Sequence, residues 1–275
     1  MTASLGSAHP TPAARWATAV RRSGRAEWFR LTRPRSIRTA LATTALAAAA
    51  VTAALLLSLD EAAPTPRMSL EFVATAGPQS VTLDALGYGA IVLFAVFTSW
   101  AAGGSARGTH RTELLHQPIR GALAVGAFLA RWAVAGLLVL LSVAAGTATT
   151  AALAAPLGLD PGAWATPGKV RALAVDAAVV LGYTAGWGLL GTLLGTAVRS
   201  VPLALGLGLA WAGPVENILG DDWGPAARWF PGLLLRGLLV DSPVVERTTS
   251  LVTLGAYAAV CLIVIGALGR RDVTR

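Results

Sequence analysis

Charge is scarce in this sequence. Of its 275 residues, 13% are Asp, Glu, Lys or Arg and 55% are hydrophobic, against roughly 25% charged in an ordinary soluble domain. A water-soluble fold this short of charge would expose large apolar patches, so the soluble globular class is excluded and the chain reads as a membrane protein. Lysine is almost missing too: Lys169 is the only one, and arginine supplies every other basic side chain. Together with abundant alanine, that bias points to a GC-rich bacterial genome. Cysteine is a single residue, Cys261, inside an apolar run, which excludes a disulfide framework and a thiolate metal cluster.

Catalytic signatures are missing as well. The nearest approach to a P-loop is Gly162–Val170, "GAWATPGKV". It lacks the spaced glycine and has valine after the lysine, so no ATP hydrolysis is expected in this chain. His9, His110 and His116 have no partner at metal-binding spacing, and no G-x-S-x-G occurs. Neither an enzyme nor a resident metal or cofactor is expected. An ion-coupled carrier would place several ionisable groups deep in its spans. Here Asp176 and Glu216 are the candidates, both near the outer ends of apolar segments, where they read as interfacial carboxylates or as weak substrate-pathway contacts.

What the sequence has is long apolar runs. A crossing helix takes about 20 mostly apolar residues, and six segments qualify or nearly do: Ile37–Leu59, Leu86–Ala102, Trp132–Leu153, Ala172–Val198, Val201–Leu219 and Leu251–Leu268. The fifth holds Pro202, Pro214 and Glu216 and is expected to kink or to re-enter. The third can start earlier, because Gly121–Ala130 is also apolar. No signal-peptide cleavage site is apparent, so the first run is expected to remain as a helix. With both termini inside, 16 of the 22 basic residues face the cytoplasm and 11 of the 14 acidic residues do not. The positive-inside rule favours that orientation. Anionic inner-leaflet lipid then accounts for the net charge of +8 without nucleic acid.

The expected architecture is therefore an all-α polytopic membrane protein of about six transmembrane helices. Residues 1–25 form a basic, partly disordered leader and residues 26–275 a single transmembrane domain. Glu27–Arg35, which mixes arginines with Trp28, Phe29 and Leu31, is expected to continue an interfacial helix along the inner leaflet, with a disordered tail over Met1–Ala13. In the fourth segment Thr184, Gly188, Gly191, Thr192 and Gly195 share one helical stripe, which lets another backbone approach closely. That partner is either a helix of the same chain or a second copy. The run "GLLLRGLLV" at Gly232–Val240 is too short to span and reads as an outer hairpin or a re-entrant helix.

Between the second and third segments lies a polar island, Ser105–Gly121, "SARGTHRTELLHQPIRG", placed on the cytoplasmic side. With "AEWFRLTRPRSIRTALATT" before the first span, "PVENIL" and "ARWFPGLLLRGL" around the fifth, and "GRRDV" after the sixth, it resembles the permease subunits of type-2, exporter-type ABC transporters, particularly short six-span ones of high-GC Gram-positive bacteria. Gly104 stands where members of that family often carry an acidic residue.

The resemblance implies a bacterial plasma-membrane permease that forms the substrate pathway as a dimer, with a second copy or a related permease. It implies a separate cytosolic ABC ATPase that binds ATP and Mg. It also implies a short coupling helix formed by Arg107, Gly108, Thr109, Arg111, Glu113, Leu114, Leu115 and His116. The alternative reading is a membrane anchor or regulator that recruits a cytosolic partner without transporting anything.

Overall fold

The computed structural model describes residues 11–59, 69–106, 119–211, 215–216, 229–239 and 247–271. Among them the secondary structure is helical throughout: α1 (Pro12–Leu31), α2 (Pro34–Leu57), α3 (Leu70–Ala76), α4 (Ser80–Ala106), α5 (Arg120–Leu153), α6 (Pro167–Val198), α7 (Val201–Ala210), α8 (Pro231–Leu239) and α9 (Arg247–Arg271). Two 3-10 turns, Ala155–Leu157 and Pro161–Trp164, join α5 to α6. The protein is an all-α polytopic membrane protein, in which α2, α4, α5, α6 and α9 are long and apolar enough to cross a bilayer.

Burial separates centre from periphery. In the most apolar windows of α2 and α9 only 11% of residues are buried, against 44% in α6. Leu46, Val252 and Ile263 are each 71% exposed, the pattern of helices whose outer faces meet lipid tails.

The centre is the pair α4 and α6. Gln79 Nε2 donates to Asp176 Oδ2 at 3.0 Å and Tyr183 Oη donates to the Leu86 carbonyl at 2.9 Å, both across 97 residues of sequence. Gly191 faces the Phe94 carbonyl and Gly195 that of Thr98, which continues the same offset. A constant offset means parallel helices. The register holds for about 28 Å at 1.5 Å per residue, nearly the whole hydrocarbon thickness. The ends where α4 and α6 begin are called distal below, and the ends where they finish proximal.

Other elements pack around this pair. Thr52 of α2 and Thr82 of α4 meet at 3.3 Å through their hydroxyls, and both would strike a Cβ placed at Gly146 of α5. At the distal end Leu56, Val73, Ala154, Leu159 and Trp164 form a separate apolar cluster, and the Trp164 indole donates to the Ala74 carbonyl at 3.1 Å. Ser69 starts α3 by accepting the Phe72 N–H at 3.2 Å, an N-cap bond. At the proximal end α6 stops on Arg199, which turns left-handed at φ 56, and Pro202 sits in the first turn of α7, where its missing N–H costs nothing.

One expectation changes, at the N-terminus. The N-terminal helix begins at Pro12 and runs through the assumed boundary at residues 25 and 26, because Thr11 caps it and its small face docks on α5. The last part of the expected disordered tail, Pro12 and Ala13, is thus helical. The fifth apolar segment, expected to kink or to re-enter, is helical over Val201–Ala210, and residues 212–214 and 217–219 lie outside the described residues.

A bulky residue on the α4–α6 seam has nowhere to go. A Cβ at Gly191 would lie 2.7 Å from the Phe94 carbonyl oxygen, which is backbone and cannot yield. Gly191→Leu is expected to lose about 1–3 kcal/mol of stability, read as a lower unfolding midpoint in detergent. The same change at Gly206, which has nothing within 4 Å, is expected to leave the midpoint unchanged.

Candidate functional site

The seam is where the predicted glycine stripe falls. Gly188 faces the Phe97 ring, with 2.9 Å from an added Cβ, and Gly195 faces the Thr98 carbonyl at 2.6 Å. Thr184 is fully buried and returns its hydroxyl to the Val180 carbonyl of its own helix at 2.8 Å. The stripe is thus covered by α4 of the same chain. Thr98 and Thr192 keep buried hydroxyls without a partner in it.

Beside the seam, α7 and α8 act as two half-length helices in tandem. Starting two residues after α6 ends, α7 climbs until Gly208 meets the Phe94 ring near the middle of α4. The second half-helix begins at that depth, with Gly232 against Trp187 and Leu235 against Gly186. It ends near Leu83 and Val180, where Leu239 packs. At 1.5 Å per residue the two halves add up to about 28 Å, the thickness of one hydrocarbon core. Residues 217–228 lie outside the described residues.

A helix that starts inside a membrane leaves its first N–H groups without water, and each unpaired group costs free energy. Here every one is accounted for. Pro231 has none; Gly232 donates to Glu216 Oε1 at 3.2 Å and Leu233 to Glu216 Oε2 at 3.1 Å. Leu234 donates to the Phe230 carbonyl at 2.9 Å. A third donor reaches the carboxylate, the Trp211 indole at 2.7 Å from Oε1. Glu216 is 1% exposed, and its carboxyl oxygens accept from three N–H groups, two of them at the start of α8. On the other flank, the Tyr257 hydroxyl donates to the Trp229 carbonyl at 2.6 Å, which ties α9 to the start of α8. The Trp187 ring packs its far edge against Gly232 at the break and stands edge-on to Tyr183, 6.4 Å between ring centres.

Asp176 lies elsewhere, in the third turn of α6, where it accepts from Gln79 and joins α6 to the start of α4. The structure does not bring Asp176 and Glu216 together. Arg107, Gly108, Thr109, Arg111, Glu113, Leu114, Leu115 and His116 lie outside the described residues, between the end of α4 and the start of α5.

Two charged groups are new. Glu27 of α1 is buried, with Oε1 2.7 Å from Arg131 Nε of α5 and 2.6 Å from Arg30 Nη2. The Arg131 guanidinium also lies 6.0 Å from the Trp100 ring centre on α4, and Ser23 donates to the Leu123 carbonyl at 2.8 Å. Gly24 and Gly126 bring the two backbones together: a Cβ on Gly24 would lie 3.2 Å from the Gly126 carbonyl. These contacts join α1, α4 and α5 at the proximal end. Arg236, the single charge in the apolar run of α8, rests on Tyr88 of α4. Arg236 was visible as a lone charge in its segment and Glu27 as an acidic residue among arginines, but not their partners.

Comparison with family models, curated proteins and solved structures finds no match to this chain.

Glu216→Ala would strand three donors at mid-depth. A loss of about 3 kcal/mol or more is expected, seen as a lower unfolding midpoint and faster proteolysis between α7 and α9. Glu216→Gln keeps one acceptor oxygen and is expected to lose less. An unchanged midpoint in the alanine variant would show that Glu216 is free for a ligand. Glu27→Ala is expected to cost about 3 kcal/mol, and a double-mutant cycle with Arg131→Ala should recover most of it as coupling.

Proposed function

We propose that the chain is the permease subunit of an ATP-driven exporter of the ABC type, in a bacterial plasma membrane with both termini in the cytoplasm. It works as a pair, with a second copy or a related permease, and it docks a cytosolic ATPase subunit that binds ATP and Mg. The ATPase contacts Arg107–His116, with Leu114 and Leu115 as apolar anchors and Arg111, Glu113 and His116 as polar contacts.

One observation carries this reading: the helices on either side of that segment are locked to each other and to α1. Phe97 of α4 and Phe128 of α5 meet with tilted rings, 5.9 Å between centres, and Arg131 joins α5 to both Trp100 and Glu27. A partner can shift a two-state equilibrium only through contacts that differ between the states. A push on the polar segment would reach α4 and α5 at once, pass through the glycine seam to α6, and arrive by the short Arg199–Ser200 link at α7 and the break above it. Discontinuous helices of this kind line substrate pathways in other transporters. Apolar spans suit a lipophilic cargo, such as a drug, an antibiotic or a lipid.

The test is a double substitution, Leu114→Asp with Leu115→Asp, in the tagged chain. It is expected to release the co-purifying ATPase while membrane insertion and the unfolding midpoint stay as in wild type. An ATPase that remains bound in full would refute this docking segment.

A further inference from the structure

Arg236 is a cation where cations are costly. Tyr88, which it touches, lies eight residues into α4, about 12 Å below the distal end at 1.5 Å per residue. An arginine deep in a bilayer costs about 2.5–3.5 kcal/mol on insertion scales unless something answers its charge. Its polar contacts among the described residues are neutral. Nη2 donates to the Tyr88 hydroxyl at 3.2 Å, the guanidinium carbon lies 4.9 Å from the centre of the same ring, and its stem runs past Gly87. Asp84, one turn earlier on α4, is not within ion-pair distance. The notch opens outwards, since Tyr88 is 62% exposed, and Ile91 and Val92 one turn further along α4 are 46% and 64% exposed.

We propose that Arg236 and Tyr88 bind the headgroup of an anionic phospholipid from the distal half of the bilayer, with its acyl chain lying along Ile91 and Val92. The chemistry fits on three counts. A guanidinium presents a planar fork of donors that matches two phosphate oxygens. The Tyr88 oxygen accepts from Arg236, so its own proton is left to donate to a third oxygen. The negative charge offsets the cation's burial, and the exposed aliphatic face below takes the tail, as water could not. This site stands whether or not the chain transports anything.

The experiment uses the full chain, delipidated in detergent and titrated with dioleoyl-phosphatidylglycerol or dioleoyl-phosphatidylcholine, with adducts counted by native mass spectrometry. Wild type is expected to prefer the anionic lipid by about fivefold or more. Arg236→Gln should bring the two lipids to parity, Tyr88→Phe should lose part of the preference, and Arg171→Gln, an exposed distal arginine, should keep it. A preference that survives Arg236→Gln would overturn the proposal. So would an equal adduct with glycerol 3-phosphate, which would mark a site for soluble anions.

A phosphatidylglycerol carrying a diazirine beside the headgroup gives a readout on wild type that needs no variant to fold. Labelling concentrated in 87–92 and 232–239 is expected, and labelling spread evenly over the lipid-facing helices would contradict the site.

Discussion

Everything in this molecule is built on the close approach of α4 and α6. Two parallel helices touch over nearly the full thickness of a bilayer because one of them presents Gly188, Gly191 and Gly195 where side chains would otherwise hold the backbones apart. In lipid there is no hydrophobic gain from bringing helices together, so van der Waals contact at short range has to supply the association. That contact is strong only if the surfaces are smooth. The polar ends of the register, Asp176 with Gln79 and Tyr183 with Leu86, fix how far one helix can slide along the other. With the pair set, α5 and α2 fit one flank through Gly146, and the half-helices α7 and α8 fit the other through Gly208 and Gly186.

The broken crossing follows from the same constraint. Beside Phe94 and Trp187 the crossing is made by two half-helices, packed through Gly208 and Gly232. Two halves place a helix start inside the membrane. Glu216 makes that start tolerable by taking two backbone N–H groups and an indole. A carboxylate that the sequence leaves as an interfacial charge or a weak pathway contact thus also caps the start of a helix.

The crossings were largely legible in the sequence because a run of apolar residues is a local property. The start of α4 at Ser80 was missed, since Thr82 and Asp84 break the apolar pattern while remaining helical. The fifth segment was harder. Pro202 and Pro214 announced a disturbance, but the helix that completes the crossing lies beyond Trp229, and the bond that joins the halves spans 16 residues from Glu216 to Gly232. The glycine stripe was plain from spacing alone, whereas the identity of the helix covering it depends on a register 97 residues long. Glu27 and Arg131 are 104 residues apart, and each alone reads as an ordinary interfacial charge. Pairings of that range come from tertiary packing, which periodicity does not encode.

The central claim is that this chain serves as the membrane half of an ATP-driven machine. Its most direct test is purification of the tagged wild-type chain from native membranes, with the stoichiometry of every co-eluting protein and an ATPase assay on the eluate. The account predicts a P-loop protein in equal number with the permease chains and vanadate-sensitive hydrolysis. A chain that elutes alone, or with a partner lacking a P-loop, would contradict it and leave the anchor or regulator reading in its place.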